Sequence, residues 1–155
     1  MDRTSIKIKH NMEMAHRLYQ TPGKCQSIHG HSWWVTLELH GQTDSKGLLQ
    51  GLDFGTAKMV LREYMDRCYD HHLLLNDQDP FAKPLWTDAI PRVGGKDVSV
   101  ELPGLVKFYG DPTTELIAAK IGRDMLSSFS KTCGIDELAV DVWETATNNA
   151  RWESR

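Results

Sequence analysis

The stretch His29-Gly30-His31-Ser32-Trp33-Trp34-Val35-Thr36-Leu37-Glu38-Leu39 reads as a strand headed by two histidines. Residues two apart in an extended chain project from one face, so Trp33, Val35, Leu37 and Leu39 continue the face that His29 and His31 begin. The apolar side chains give that face a core to cover, and Gly30 allows the close approach a metal requires. Upstream, Ser5 to His16 alternates as a second strand, with Ile6, Ile8, Met12, Met14 and His16 on one parity. A hairpin folding this run onto the next brings His16 beside His29 and His31. Three neutral imidazoles with a vacant fourth position describe a catalytic zinc site, because structural zinc is usually closed by four protein ligands rich in cysteine. A plainer reading stands beside this one: in a chain with seven histidines, a His-x-His pair can be two surface or hydrogen-bonded strand residues.

The connection between the two strands contains Thr21-Pro22-Gly23, then Lys24 and Cys25, and is longer than a tight turn. It can fold over the metal and present the thiol to whatever is bound there. A lone cysteine is usually packing. Beside Lys24 and a divalent cation, however, thiolate is favoured over thiol, giving a nucleophile or a proton acceptor.

Working outward, Asp53 stands where a helix cap would, ahead of Phe54, Ala57, Val60, Leu61, Tyr64, Met65 and Cys68, whose spacing marks a helix with one buried face. A second helix is expected from Asp111-Pro112, a capping acid followed by proline, through Ile117, Ile121, Met125 and Phe129 to Gly134. Leu138, Val140, Val142 and Glu144 share one parity on a third strand, and a short final strand is expected near Ala150 to Glu153. This order predicts an α+β protein, an antiparallel sheet with two helices on one face. Residues 1–155 are expected to form a single domain, with an insertion at about 79–110 that carries four prolines and a strand at Val98, Val100 and Leu102.

Composition narrows the function classes. Eighteen basic against 21 acidic side chains give a formal charge of −3 with no basic stripe, so no nucleic acid partner is expected. No apolar run approaches the length of a bilayer span and no apolar leader opens the chain, so the expected location is cytoplasmic, with no membrane partner. Cys25, Cys68 and Cys133 are odd in number and widely spaced, which predicts reduced thiols.

Two further groups invite chemistry. Glu144 ends an apolar strand face, where a carboxylate needs a partner: an arginine, or the N–H and NH₂ edge of a guanine or pterin ring. An internal pair with Arg151 or Arg123, or plain exposure, is the favoured account from periodicity alone. In Asp70-His71-His72, a carboxylate next to imidazole can fix its tautomer and raise its basicity for proton transfer, although histidine at a helix C-terminus is also favoured by the dipole.

Taken together, the chain resembles the 6-pyruvoyl-tetrahydropterin synthase superfamily, which adopts the tunnelling fold and includes bacterial 6-carboxy-tetrahydropterin synthases. The resemblance spans nearly the whole chain and rests on Ala15-His16-Arg17-Leu18, Cys25-x-x-x-His29-Gly30-His31, Leu52-Asp53-Phe54, Asp70-His71 with Leu75-Asn76, Pro112-Thr113-x-Glu115, and Glu144-Thr145. It implies His16, His29 and His31 as zinc ligands, Cys25, Asp70 and His71 as proton-transfer residues, and Glu144 with Thr113 as substrate-binding residues. The three-residue gap between Cys25 and His29 resembles the carboxy branch. That branch implies conversion of 7,8-dihydroneopterin triphosphate to 6-carboxy-5,6,7,8-tetrahydropterin, acetaldehyde and triphosphate, in queuosine-type deazaguanine biosynthesis. The alternatives are a pyruvoyl-type product and a non-catalytic pterin- or purine-binding module. The family also implies a homo-oligomer, commonly a hexamer, whose sheets join into a barrel with sites at subunit interfaces. One departure stands out. Four residues separate His71 from Asn76, one more than the family pattern, so that His72 keeps the usual spacing to Asn76 while His71 directly follows Asp70, and either is a candidate for the proton-transfer imidazole.

Overall fold

The computed structural model of the protein describes residues 3–82 and 104–154. Within them the order is β1 (Arg3–His16), β2 (His29–Gln42), α1 (Phe54–Cys68), β3 (Leu73–Asn76), β4 (Leu105–Phe108), α2 (Thr114–Cys133), β5 (Glu137–Trp143) and β6 (Asn149–Glu153). The strands form one sheet in the order β4-β3-β1-β2-β5-β6.

The hairpin of β1 and β2 is its frame, paired without interruption from Arg3 opposite Gln42 to His16 opposite His29. This register puts Ile8, Met12 and Met14 on the same buried face as Trp33, Val35, Leu37 and Leu39. A slip of one residue would turn the whole apolar set to solvent, so burial pins the register. β5 adds Leu138, Val140 and Val142 to that face, opposite Leu39, Leu37 and Val35.

Both helices cover this face, and their buried residues join those of the sheet in one hydrophobic cluster. α1 starts at the expected cap, where the Asp53 carboxylate accepts from the Thr56 N–H at 3.0 Å, and buries Ala57, Leu61, Tyr64 and Met65. α2 buries Ile117, Ile121, Met125 and Phe129 and stops at Gly134, whose φ of 71° is the left-handed conformation that glycine supplies at a helix end. Gly122 lets α2 lie against β6: a Cβ there would fall 2.0 Å from Cε3 of Trp152.

Three expectations need correction. The sheet is mixed, because β3 runs parallel to β1 and β4 runs parallel to β3. These strands have four residues each, and β3 is apolar and largely buried along its length, so neither offers the alternation that marks a half-exposed strand. Second, α2 is capped by Thr113, whose hydroxyl oxygen accepts from the Leu116 N–H, and not by Asp111. Third, the segment expected as an insertion ends inside the sheet, as β4, while its expected strand at Val98, Val100 and Leu102 lies outside the described residues.

Candidate active site

The hairpin register builds the centre. His16 ends β1 directly opposite His29, the first residue of β2, and His31 follows two residues on, opposite Met14. All three rings therefore stand on one face, with one nitrogen from each within 4.8 Å of the others. Ring centroids lie 4.6 Å apart for His16 and His29, 4.9 Å for His29 and His31, and 5.4 Å for His16 and His31. The Trp33 indole meets His16 and His31 edge-on and donates from Nε1 to the Met14 carbonyl, giving the rings a fixed wall.

The hydrogen bonds of the outer ring nitrogens fix what the inner ones can be. Nδ1 of His16 lies 2.8 Å from the Pro112 carbonyl oxygen, and Nδ1 of His29 lies 2.7 Å from that of Ser27. A carbonyl only accepts, so both Nδ1 atoms carry the proton and both neutral rings present a bare lone pair at Nε2. Those two Nε2 atoms face each other at 3.1 Å, and Nε2 of His31 is buried without a hydrogen-bond partner. Lone pairs so placed repel unless a cation sits among them, and backbone carbonyls that orient metal-binding imidazoles are a usual outer layer of such sites. Protonating a ring is the other way out, but burial opposes it. His16 is fully buried, and desolvation lowers its proton affinity, outweighing the Pro112 carbonyl and Glu144, which raise it; burial lowers that of His31 likewise. The donor set fits a divalent cation that takes imidazole, such as zinc.

Glu144, in the turn after β5, brings its carboxylate to this cluster: Oε1 lies 3.4 Å from Nε2 of His16 and 3.8 Å from Nε2 of His31. The internal arginine pair is not formed. Arg151 instead binds Glu38, Asp141 and Glu153 on the other side of the sheet.

Cys25 lies in a single 3-10 turn, Lys24–Gln26, just before β2. Its carbonyl accepts from the Leu18 N–H at 2.8 Å, which ties the turn to the chain two residues past His16. The start of this connection is strapped by Asp111, a residue that sequence reading assigns to helix capping. Its carboxylate accepts from Tyr19 N at 3.0 Å, Gln20 N at 2.8 Å, Thr21 Oγ1 at 3.3 Å and Asn76 Nδ2 at 2.7 Å. Asp111 and Thr113 are both capping residue types one position apart, and a helix needs only one. That redundancy is the signal in the sequence that one of them has a distant partner.

Asp70 and His71 pair as expected, Nδ1 to Oδ2 at 2.7 Å, whereas Nδ1 of His72 turns to the Asp70 backbone carbonyl at 2.6 Å. Partial burial pushes the Asp70 carboxyl up, but the Glu13 N–H at 2.8 Å and His71 outweigh it and hold it below the usual range. His71 has a left-handed φ of 59° and donates its N–H to the Glu13 carbonyl, against the edge of β1. His71 borders a hollow of about 440 Å³ that is also lined by Glu13, Met14, Ala15, Gly30, His31 and Ser32. Four of these, Glu13, Ala15, Gly30 and Ser32, alternate along the hairpin with His16, His29 and His31, so the hollow opens mainly on the hairpin face opposite the three imidazoles.

The model of the family described as 6-pyruvoyl tetrahydropterin synthase matches residues 5–155. The chain belongs to that family. Membership bears out the resemblance read from the motifs and makes the chain an enzyme of a pterin lyase family. It is 30% identical over 130 residues to a probable 6-carboxy-5,6,7,8-tetrahydropterin synthase of Halobacterium salinarum, covering 84% of this chain and 73% of the relative. It is 31% identical over 134 residues to the 6-carboxy-5,6,7,8-tetrahydropterin synthase of Rickettsia bellii, covering 86% and 88%. Among solved structures, an uncharacterized protein from Wolinella succinogenes superposes with a TM-score of 0.78 at 19% identity over the whole of both chains. The 6-pyruvoyl tetrahydropterin synthase of Plasmodium vivax superposes with a TM-score of 0.71 at 20% identity, over 100% of this chain and 99% of that one. At such identities the superpositions speak for the fold. No helix among the described residues is long and apolar enough to cross a membrane.

Proposed function

We propose that the protein is a zinc-dependent lyase that converts 7,8-dihydroneopterin triphosphate and water to 6-carboxy-5,6,7,8-tetrahydropterin, acetaldehyde and triphosphate, within queuosine-type deazaguanine synthesis. The observation that carries the reading is the facing pair of Nε2 lone pairs on His16 and His29, with the unpartnered Nε2 of His31 beside them. The carboxy branch is supported by the three-residue gap between Cys25 and His29 and by the names of the relatives above.

In this reading His16, His29 and His31 hold the zinc ion, which supplies Lewis acidity toward the oxygens of the substrate side chain. Glu144 accepts the N–H and NH₂ edge of the pterin ring, and Thr113, at the head of α2, lies next to Pro112, whose carbonyl orients His16. Cys25 takes a proton from one side of the side chain. His71, with its tautomer fixed by Asp70, moves protons on the other. Because His71 borders a hollow that opens mainly on the far face of the hairpin, the working site takes Asp70 and His71 from a second copy of the chain. Assembly as a homo-oligomer, a hexameric barrel in the family pattern, supplies it. The single domain is expected to span 1–155, in the cytoplasm, with no nucleic acid or membrane partner.

The test is direct. Zinc-loaded protein is incubated with 7,8-dihydroneopterin triphosphate, the pterin product is identified by mass spectrometry, and acetaldehyde is trapped as its hydrazone. Carboxypterin with equimolar acetaldehyde supports the reading; a pyruvoyl product moves the chain to the sister activity, and binding without turnover makes it a pterin-binding module.

A further inference from the structure

We propose that the Glu144 carboxylate is also a displaceable fourth ligand, which closes the metal site while no substrate is bound and leaves it when the heterocycle arrives. The inference rests on the zinc reading above and deepens it.

Ligands bound at about 2.1 Å in tetrahedral geometry lie roughly 3.4 Å from one another. The separations around the cluster are 3.1 Å between the Nε2 atoms of His16 and His29, and 3.4 Å and 3.8 Å from Glu144 Oε1 to the Nε2 atoms of His16 and His31. The carboxylate thus stands at the spacing of a ligand, not of a group waiting across a cavity. The guanidinium that could have held it elsewhere, Arg151, is occupied by three other carboxylates. Nor is it sealed in place, since its side chain keeps about a fifth of its surface exposed. Its backbone is held where the turn closes on itself, with Glu144 N donating to the Asn148 carbonyl at 3.1 Å. Rotation about the side-chain bonds is therefore enough to carry the carboxylate from the cation to a ring edge without moving the strand.

One group with two mutually exclusive partners couples them. A pterin that engages Glu144 vacates a coordination position at the moment its own side chain is in place to fill it. Until then the carboxylate keeps solvent and stray anions off the cation. No bond to carbon changes in this exchange, and the carboxylate keeps its charge throughout.

The test compares the full-length wild-type protein with Glu144→Gln in two measurements, neither of them turnover. Zinc affinity is measured by competition with a chromophoric chelator, and coordination is read from the visible absorption of the cobalt(II)-loaded protein. Glu144→Gln should bind zinc at least about tenfold more weakly, the scale on which disturbing a metal's ligand environment is felt. Adding 7,8-dihydropterin, which has a ring edge but no side-chain oxygens, should change the wild-type cobalt spectrum and leave that of the variant unchanged. Glu144→Asp, which keeps the charge on a shorter arm, should fall between the two and provides the same comparison if the glutamine variant does not fold. Zinc binding within about twofold of wild type, with an identical cobalt spectrum, overturns the inference and leaves the lyase reading standing. A wild-type protein that takes up no zinc overturns both.

Discussion

Replacing Asp111 with asparagine should loosen the Cys25 connection without dismantling the fold. Asp111 is buried and serves four donors: Tyr19 N and Asn76 Nδ2 on Oδ1, Gln20 N and Thr21 Oγ1 on Oδ2. An asparagine that keeps its oxygen at the Oδ1 position retains the first two bonds but turns an NH₂ toward the Gln20 N–H. The Thr21 hydroxyl can rotate and accept instead; the backbone amide cannot. One charge-assisted bond is lost and one amide donor is left unpaired, a cost of about 2–4 kcal/mol. A domain of this size has roughly 5–15 kcal/mol in hand, so Asp111→Asn still folds. The loss falls on residues 19–21, and through the bond from Leu18 N to the Cys25 carbonyl it reaches the thiol. Amide hydrogen exchange reads it directly: protection at Tyr19 and Gln20 should drop by about 30- to 1,000-fold, while the central amides of the β1-β2 hairpin change far less. Product formation should fall with zinc content unchanged, because the three ligands stand on the hairpin and not on the strap. Protection at Gln20 within about threefold of wild type would show that Asp111 does not hold the connection.

Other perturbations probe separate links. Arg17 and Asp79 form a nearly buried pair, Nε to Oδ2 at 3.4 Å with side chains 12% and 0% exposed. Arg17→Leu should cost about 3–5 kcal/mol in urea unfolding by stranding the Asp79 charge, and much of that should return when Asp79→Asn is added; additive losses would refute the pairing. Gly122→Ala should lower the melting temperature despite alanine's helix preference of roughly 1 kcal/mol, because its Cβ meets the Trp152 ring. Trp152→Val should relieve much of that loss, and an unchanged melting temperature in the single variant would mean the helix has room to shift. The pH response follows from His16 and His31, whose proton affinity burial lowers in the metal-free protein. The unfolded chain takes up these protons near pH 6.5, about the free imidazole value, and the folded one only below it, so stability is lost as pH falls through 6.5 toward the folded values. The urea midpoint of metal-free protein should therefore be lower at pH 5.5 than at 7.5, before Glu38, Asp70 and Asp124, which titrate below their usual carboxylate range, begin to contribute. A higher midpoint at 5.5 would contradict the burial of neutral rings.

The centre of the fold was legible because it is built from long, half-buried elements. In β1 and β2 the core face and the metal face are the same face, so the alternation that reports burial also aligns His16 with His29 and His31. The helices were legible from the spacing of Ala57, Leu61 and Met65 and of Ile117, Ile121 and Met125. β3 and β4 were not, because four residues are too few to show a period, and β3 opens with three leucines in a row that show no alternation. The mixed character of the sheet comes from those two strands alone.

The site was legible where its residues are set by the backbone and illegible where they are set by competition. His16, His29 and His31 follow from register, so parity finds them. Glu144 was open to an arginine or a heterocycle because a sequence cannot show which carboxylates Arg151 serves first. In the fold Glu38, Asp141 and Glu153 converge on that guanidinium from β2, β5 and β6. They occupy its donor fork, and Glu144, one residue beyond β5, is left to the imidazoles. The same holds for Asp111: Thr113 satisfies the helix, which frees the acid for Tyr19, Gln20 and Asn76. In each case a neighbour saturates the obvious partner and a carboxylate is released to another, the imidazoles for Glu144 and the Cys25 connection for Asp111. The placement of Glu144 and Asp111 therefore depends on bonds made elsewhere, and substitutions at Arg151 should disturb Glu144 although no hydrogen bond or ion pair joins the two. Arg151→Lys, with one point charge in place of the fork, would leave part of the carboxylate cluster unserved and draw Glu144 no closer to the metal. Arg151→Gln, by removing the charge, should weaken the end of β6 and blur the turn from which Glu144 reaches the histidines. A cobalt spectrum and zinc affinity for Arg151→Gln identical to wild type would show that the turn holds Glu144 without help from the network.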